Sequence, residues 1–226
     1  SGISIVGDLG VYDLNFNEQE NQGEIALFFN RLAILDLDKR SNQPFENDRY
    51  LLAFNGEIYN YKEIRKKLQL QNISFRTSSD TEVLFYALIN YGAAVIDQLN
   101  GMFSFVFIDK LERKIILARD RAGIKPLVFR SSHSGFIFAS EIDSIIRFSQ
   151  EKPTISSTAI DLYLSLQYIP TPFTVWENII KLPPGCYIEE RIDDLKNKEK
   201  IFPTTYWNAY EAASGYSEQE SDIESL

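Results

Sequence analysis

Leu51-Leu52-Ala53-Phe54-Asn55-Gly56-Glu57-Ile58-Tyr59 joins an apolar run to an abrupt polar stop. Leu51 to Phe54 reads as a short buried strand, and Asn55, Gly56 and Glu57 place an amide, a bare backbone and a carboxylate at its end. Two readings fit this ending. Asn-Gly between apolar runs is the strongest short signal for a hairpin turn. A glycine beside an asparagine also lets a ligand approach a backbone N–H while the side-chain amide offers a second donor, a pair suited to a developing oxyanion.

Downstream of this stretch, Tyr59 to Leu68 reads as a short helix with Ile64 and Leu68 on one face, and Ile73 to Arg76 as a short strand. Thr77 to Asp80 is a polar turn with a natural helix cap, and Thr81 to Tyr91 is a helix that Gly92 stops. Asp80, by itself, is read as a cap. Gly101 to Asp109 and Arg113 to Ala118 form a hairpin, followed by strands at Leu127 to Arg130 and Gly135 to Ala139. Between the pairs, Arg119 to Leu127 is a Gly- and Pro-bearing loop whose charges suit a local ion-pair network. Helices are expected up to Arg147 and from Ser156 across Ile160, Tyr163, Leu164 and Tyr168. A further strand is expected at Cys186 to Ile188.

Upstream, Ile3 to Val6 is a weak strand, while Ile25, Leu27 and Phe29 alternate into the mostly apolar run Arg31 to Asp36. Arg31 inside that run is either an edge residue reaching solvent or a buried cation facing an anion. From Arg191 onward charge dominates, and Glu211 to Leu226 reads as a linker or the first turn of something that continues. Many short strands with hairpin-length connections, flanked by a few helices, make an α+β layer pattern of antiparallel sheets covered by helices. No Gly-rich phosphate loop follows any strand.

Composition removes several classes of function. The net charge of −9 and the lack of a dense basic cluster argue against nucleic acid or an anionic membrane as partner. Lys62 to Lys67 reads as the solvated face of a helix. A single cysteine, Cys186, excludes an internal disulfide framework and reads as a packed small hydrophobe, and a single histidine, His133, falls short of a usual zinc site, so no metal site is expected. His133 is placed in an exposed polar loop. The apolar runs are too short to span a bilayer, and a cytoplasmic location is expected.

Taken together, Arg31-Leu-Ala-Ile-Leu-Asp36, Asn42-Gln43-Pro44, Phe54-Asn-Gly-Glu-Ile-Tyr-Asn60, Ser79-Asp80-Thr-Glu-Val83, Leu99-Asn-Gly-Met-Phe103, Arg119 to Leu127, Ala139-Ser-Glu141, Leu182-Pro-Pro-Gly185 and Tyr206-Trp207 are ordered motifs. In this order they resemble the N-terminal glutamine amidotransferase domain of glutamine-hydrolysing asparagine synthetases. The resemblance implies an N-terminal-nucleophile hydrolase fold, a four-layer αββα sandwich of two antiparallel sheets, here incomplete at the N-terminus. It implies L-glutamine as ligand: Arg31 on the α-carboxylate, Leu32, Ala33, Ile34 and Leu35 lining the pocket, Asp80 and Glu57 receiving the α-ammonium. Asn55 and Gly56 would form the oxyanion hole.

The family's nucleophile is a cysteine at the start of the mature chain, and this sequence opens Ser1-Gly2-Ile3 without the helix and Arg-Gly-Pro-Asp turn that follow that cysteine. Ser1 is accordingly an unlikely substitute, and the chain is expected to be a fragment whose nucleophile lies upstream. Phe29-Asn30 also stands where the family has a histidine. The expected organisation is an amidotransferase domain over 1–208 and a linker over 209–226 toward an ATP-dependent synthetase domain. That second domain would carry the ATP and Mg2+ requirement, with no cofactor in this chain and a homodimer as a candidate assembly. The competing reading is a degenerate domain that only braces a synthetase-type partner.

Overall fold

A computed structural model describes residues 3–6, 25–28, 43–132, 135–149, 152–195, 198 and 200–220, with backbone alone at 3–6, 25–28 and 215–220. The described chain begins with β1 (Ile3–Val6) and β2 (Ile25–Phe28), then β3 (Phe45–Glu46) and β4 (Tyr50–Ile58). Helices α1 (Tyr61–Leu70) and α2 (Asp80–Tyr91) follow. The 3-10 turn Gly92–Gln98 leads into β5 (Gly101–Asp109) and β6 (Lys114–Arg119). Next come β7 (Val128–Ser132), β8 (Gly135–Ala139), α3 (Ile142–Phe148) and α4 (Ser157–Leu166). The chain closes with β9 (Ile180–Lys181), β10 (Cys186–Arg191), α5 (Ile192–Leu195), β11 (Thr204–Thr205) and α6 (Ala209–Glu220).

Two sheets result. One has six strands in the order β11-β10-β6-β5-β4-β3 and is antiparallel throughout. The other has five, β2-β1-β8-β7-β9, in which β7, β8 and β9 are antiparallel and β1 runs parallel to both of its neighbours. Successive side chains of a strand point to opposite faces, so each central strand feeds two cores. Phe103, Phe105 and Phe107 of β5 pack with Val83, Leu84 and Leu88 of α2 on the outside of the six-stranded sheet. Val106 and Ile108 of the same strand pack with Ile115 and Leu117 of β6 and with Phe129, Phe136 and Phe138 of the second sheet. A third cluster joins Val128, Ile137 and Ala139 to Ile145 of α3. The layers are therefore helix, sheet, sheet, helix, the αββα sandwich the resemblance implies.

Local chemistry explains the breaks. The Ser79 side chain accepts from the Glu82 N–H and caps α2, so Asp80 is the first helical residue and not the cap. Gly92, at φ +58°, ends the helix in a left-handed conformation that glycine adopts without cost. Asp109 closes the β5–β6 hairpin by accepting the Leu111 and Glu112 N–H groups, with Arg49 as its counter-ion at 2.7 Å.

Three expectations change. Asn55-Gly56 is not a turn: β4 continues unbroken to Ile58, with Asn55 opposite Ser104 and Gly56 opposite Phe103. Ile73 to Arg76 is not a strand, because the Arg76 N–H is taken by the Glu82 side chain instead of a ladder. The helix expected from Ser156 across Tyr168 is α4, which stops at Leu166, where Gln167 turns left-handed at φ +63°.

Candidate functional site

The site is built at the C-terminal end of β4. The bonds Lys110 N–H to Arg49 O and Tyr59 N–H to Asn100 O set the antiparallel alternation, in which odd-numbered residues of β4 exchange hydrogen bonds with β5. The even-numbered N–H groups then point to the open side of the strand. There the Phe54 N–H donates to the buried Gln43 Oε1 at 2.6 Å, and the Ile58 N–H donates to Asp80 Oδ2 at 3.0 Å. Gly56 N–H lies between them, with no acceptor among the described residues. Two flanking amides are thus clamped and one is left to donate.

Gly56 is required here for packing as well as for access. Its φ is +149°, and a Cβ would stand 2.0 Å from the Met102 carbonyl oxygen. Gly101 meets β4 in the same way, where a Cβ would lie 2.0 Å from the Glu57 carbonyl oxygen. Asn60 locks this junction: its Nδ2 donates to Gln98 O at 2.9 Å and its Oδ1 accepts the Asn100 N–H at 3.0 Å.

Asn55 and Glu57 share the face of β4 that carries Leu51, the face turned toward the second sheet. Across the strands, Asn55, buried Ser104 and Arg119 form one polar row that ends the inter-sheet core. The Arg119 guanidinium donates to the carbonyl oxygens of Lys125, Leu182 and Gly123 at 2.7, 2.8 and 2.7 Å. Burial lowers its pKa, opposed by the Asp120 charge. The Asp120 carboxylate accepts four backbone N–H groups, from Phe103, Ala122, Ile124 and Lys125. The loop charges therefore bind backbone, not one another as an ion-pair network.

Asp80 reaches the strand end from the first turn of α2, accepting the Ile58 N–H through Oδ2 and its neighbour's Thr81 N–H through Oδ1. Burial holds this carboxyl above the ordinary aspartate range, and the nearby Glu57 charge pushes the same way. The backbone donors only partly counter both effects. Two carboxylates that repel in a half-dry corner are relieved by a bound cation, and a primary ammonium has the donors to satisfy both.

Asn55, Gly56, Glu57 and Asp80 are brought together within one corner. Arg31, Leu32, Ala33, Ile34, Leu35, Ser1 and His133 lie outside the described residues. Cys186 is buried, its Sγ 3.6 Å from Thr205 Oγ1, as expected of a packed small hydrophobe. Among the described residues no group of three His, Cys, Asp or Glu side chains could hold a metal ion, and no helix is long and apolar enough to cross a membrane. Reasoning from the sequence missed the parts played by Gln43, Asn60, Glu82 and Asp120. For Glu82 a signal existed, since Ser79-Asp80-Thr81-Glu82 has the Ser-x-x-Glu spacing of a capping box.

A family profile described as a glutamine amidotransferase domain matches residues 15–207. The chain belongs to that family. This amidotransferase domain is 33% identical over 218 residues to a putative glutamine-hydrolysing asparagine synthetase 2 of Methanocaldococcus jannaschii, covering 88% of the chain and 40% of the relative. It is 37% identical over 186 residues to a putative glutamine-hydrolysing asparagine synthetase of Mycobacterium tuberculosis, covering 76% of the chain and 28% of the relative. With the Bacillus subtilis glutamine-hydrolysing asparagine synthetase 1 it shares 37% identity over 171 residues, 75% of the chain and 27% of the relative. The amidotransferase domain thus spans well under half the length of these relatives. Among solved structures, the glutamine phosphoribosylpyrophosphate amidotransferase from B. subtilis aligns over 73% of the chain and 32% of its own, at 21% identity and a TM-score of 0.48.

Proposed function

We propose that this domain binds L-glutamine and forms the glutaminase part of a glutamine-dependent asparagine synthetase, supplying ammonia for the ATP-dependent amidation of aspartate. The observation that carries the reading is the edge of β4: a donor-ready Gly56 N–H between two clamped amides, beside the Asn55 amide and the Asp80–Glu57 carboxylate pair. In this reading Asp80 and Glu57 receive the α-ammonium. Arg31 pairs with the α-carboxylate, and Leu32 to Leu35 complete the pocket wall. Attack of a cysteine nucleophile on the side-chain amide carbon generates an oxyanion, which Asn55 and the Gly56 N–H hold. Loss of ammonia leaves a thioester, which water cleaves to glutamate. Residues 1–208 constitute the domain and 209–226 lead toward the synthetase part, where ATP and Mg2+ act. The assembly is cytoplasmic and takes a homodimeric form.

Isothermal titration of the complete protein with L-glutamine tests the reading, with saturable binding expected. In the same protein Asn55→Ala should lower kcat by ~10²–10³-fold and change KM far less, because an oxyanion contact strengthens in the transition state. Absence of glutamine binding sinks the proposal. Unchanged turnover in Asn55→Ala removes the oxyanion assignment alone.

A further inference from the structure

Glu82 is a fully buried carboxylate with no cationic partner at hydrogen-bond distance among the described residues. Its Oε1 accepts the Arg76 N–H at 2.8 Å, and its Oε2 accepts both the N–H and the hydroxyl of Thr77 at 2.7 Å. The Thr77 Oγ1 in turn lies 2.8 Å from Ser79 Oγ and accepts the Ser79 N–H at 3.2 Å. From the other side, Arg65 of α1 donates to Thr77 O at 2.6 Å and lays its guanidinium over the Phe75 ring at 4.3 Å. Every polar atom of Thr77 is thereby fixed, and the turn it anchors ends one residue before Asp80 joins the helix.

In an ordinary capping box the glutamate reaches back to the N–H of the cap residue itself. Here it passes over Ser79 and holds the two residues that lead into the turn. A cap alone needs no such reach, and keeping a carboxylate dry is costly unless its hydrogen bonds accomplish something local. What lies downstream of the clamp is Asp80, whose Oδ2 must meet the Ile58 N–H while its remaining lone pairs stay available.

We infer that Glu82, acting through Thr77, is a positioning residue that sets the Asp80 carboxylate for an incoming ammonium group. This rests on the glutamine-binding reading. The residue touches no substrate, so its effect belongs in ligand affinity and not in the chemical step. Glutamine weakens when Asp80 is displaced by a fraction of an ångström, while the nucleophile and the oxyanion donors on β4 remain where they were.

Steady-state glutaminase kinetics of the complete protein test this, with Glu82→Gln as first variant, since one amide cannot accept on both sides of the turn. Thr77→Val and Thr77→Ser form a milder pair, the first removing the hydroxyl at nearly constant shape and the second restoring it. A rise of ~10-fold or more in the glutamine KM of Thr77→Val, with kcat within about threefold of wild type and recovery in Thr77→Ser, is expected. A Thr77→Val enzyme that is less heat-stable but keeps the wild-type KM overturns the inference and leaves a purely structural clamp. Failure of the wild-type protein to bind glutamine is a separate result, which removes the functional reading itself.

Discussion

At the scale of single residues, Asp80 has the most consequential environment. Burial raises its carboxyl, backbone donors partly counter that, and Glu57 adds to the rise, so protonation is easier in the folded, ligand-free domain than in the unfolded chain. The linkage follows with a definite sign. Stability from this group is fully present below the pKa of an unfolded aspartate, about 3.9, and is lost as pH rises through the raised folded value. An ammonium ligand needs the ionised form, so its affinity runs the other way. Glutamine affinity should therefore fall on acidification beginning above the ordinary aspartate range, and calorimetry across a pH series would reveal that limb. The Tm of Asp80→Asn relative to wild type should climb over the same interval in ligand-free protein. A flat difference between the two proteins would place the titration elsewhere. Gly56 shows the opposite economy: one missing Cβ serves both the contact with Met102 and access to its own N–H.

At the scale of elements, the loop between β6 and β7 owes its form to two neighbouring charges that spend themselves on backbone. Asp120→Ala leaves four N–H donors without their acceptor, three of them in the loop and one on Phe103 of β5. An unfilled buried donor costs about 1–3 kcal/mol, and water can reach only the outer ones, so a loss of at least ~3 kcal/mol is expected in chemical denaturation. The strands and helices themselves were largely legible from pattern: the β5–β6 hairpin, α1, α2 and the Gly92 stop follow from periodicity and punctuation. The misreadings of Asn55-Gly56 and of Ile73 to Arg76 share one physical origin, which is that residues outside the local stretch completed its hydrogen bonding. Asn55-Gly56 has turn chemistry but is held extended by Ser104 and Phe103, residues nearly fifty positions away. Ile73 to Arg76 has strand composition, yet Glu82 takes the Arg76 N–H. The site was legible only where motifs combined, because Asp80 reaches the end of β4 through the Ile58 N–H and no spacing within either motif encodes that meeting.

For the whole molecule, β5 couples the outer and inner cores by alternation, Phe105 facing the helices while Val106 faces the other sheet. Damage on either side should then be felt as one event. Phe105→Ala and Phe138→Ala should each cost ~3–5 kcal/mol, and calorimetry should show a single transition moved downward in both, not two transitions moved separately. Two resolved transitions would mean that the layers melt independently. The placing of β1 between β2 and β8 has a further consequence, which concerns synthesis. β1 ends at Val6 and its partner β8 starts at Gly135, so about 130 residues must leave the ribosome before that edge can close. At ~5–20 residues per second the wait is roughly 7–26 s, during which a newborn chain presents a strand edge to its surroundings.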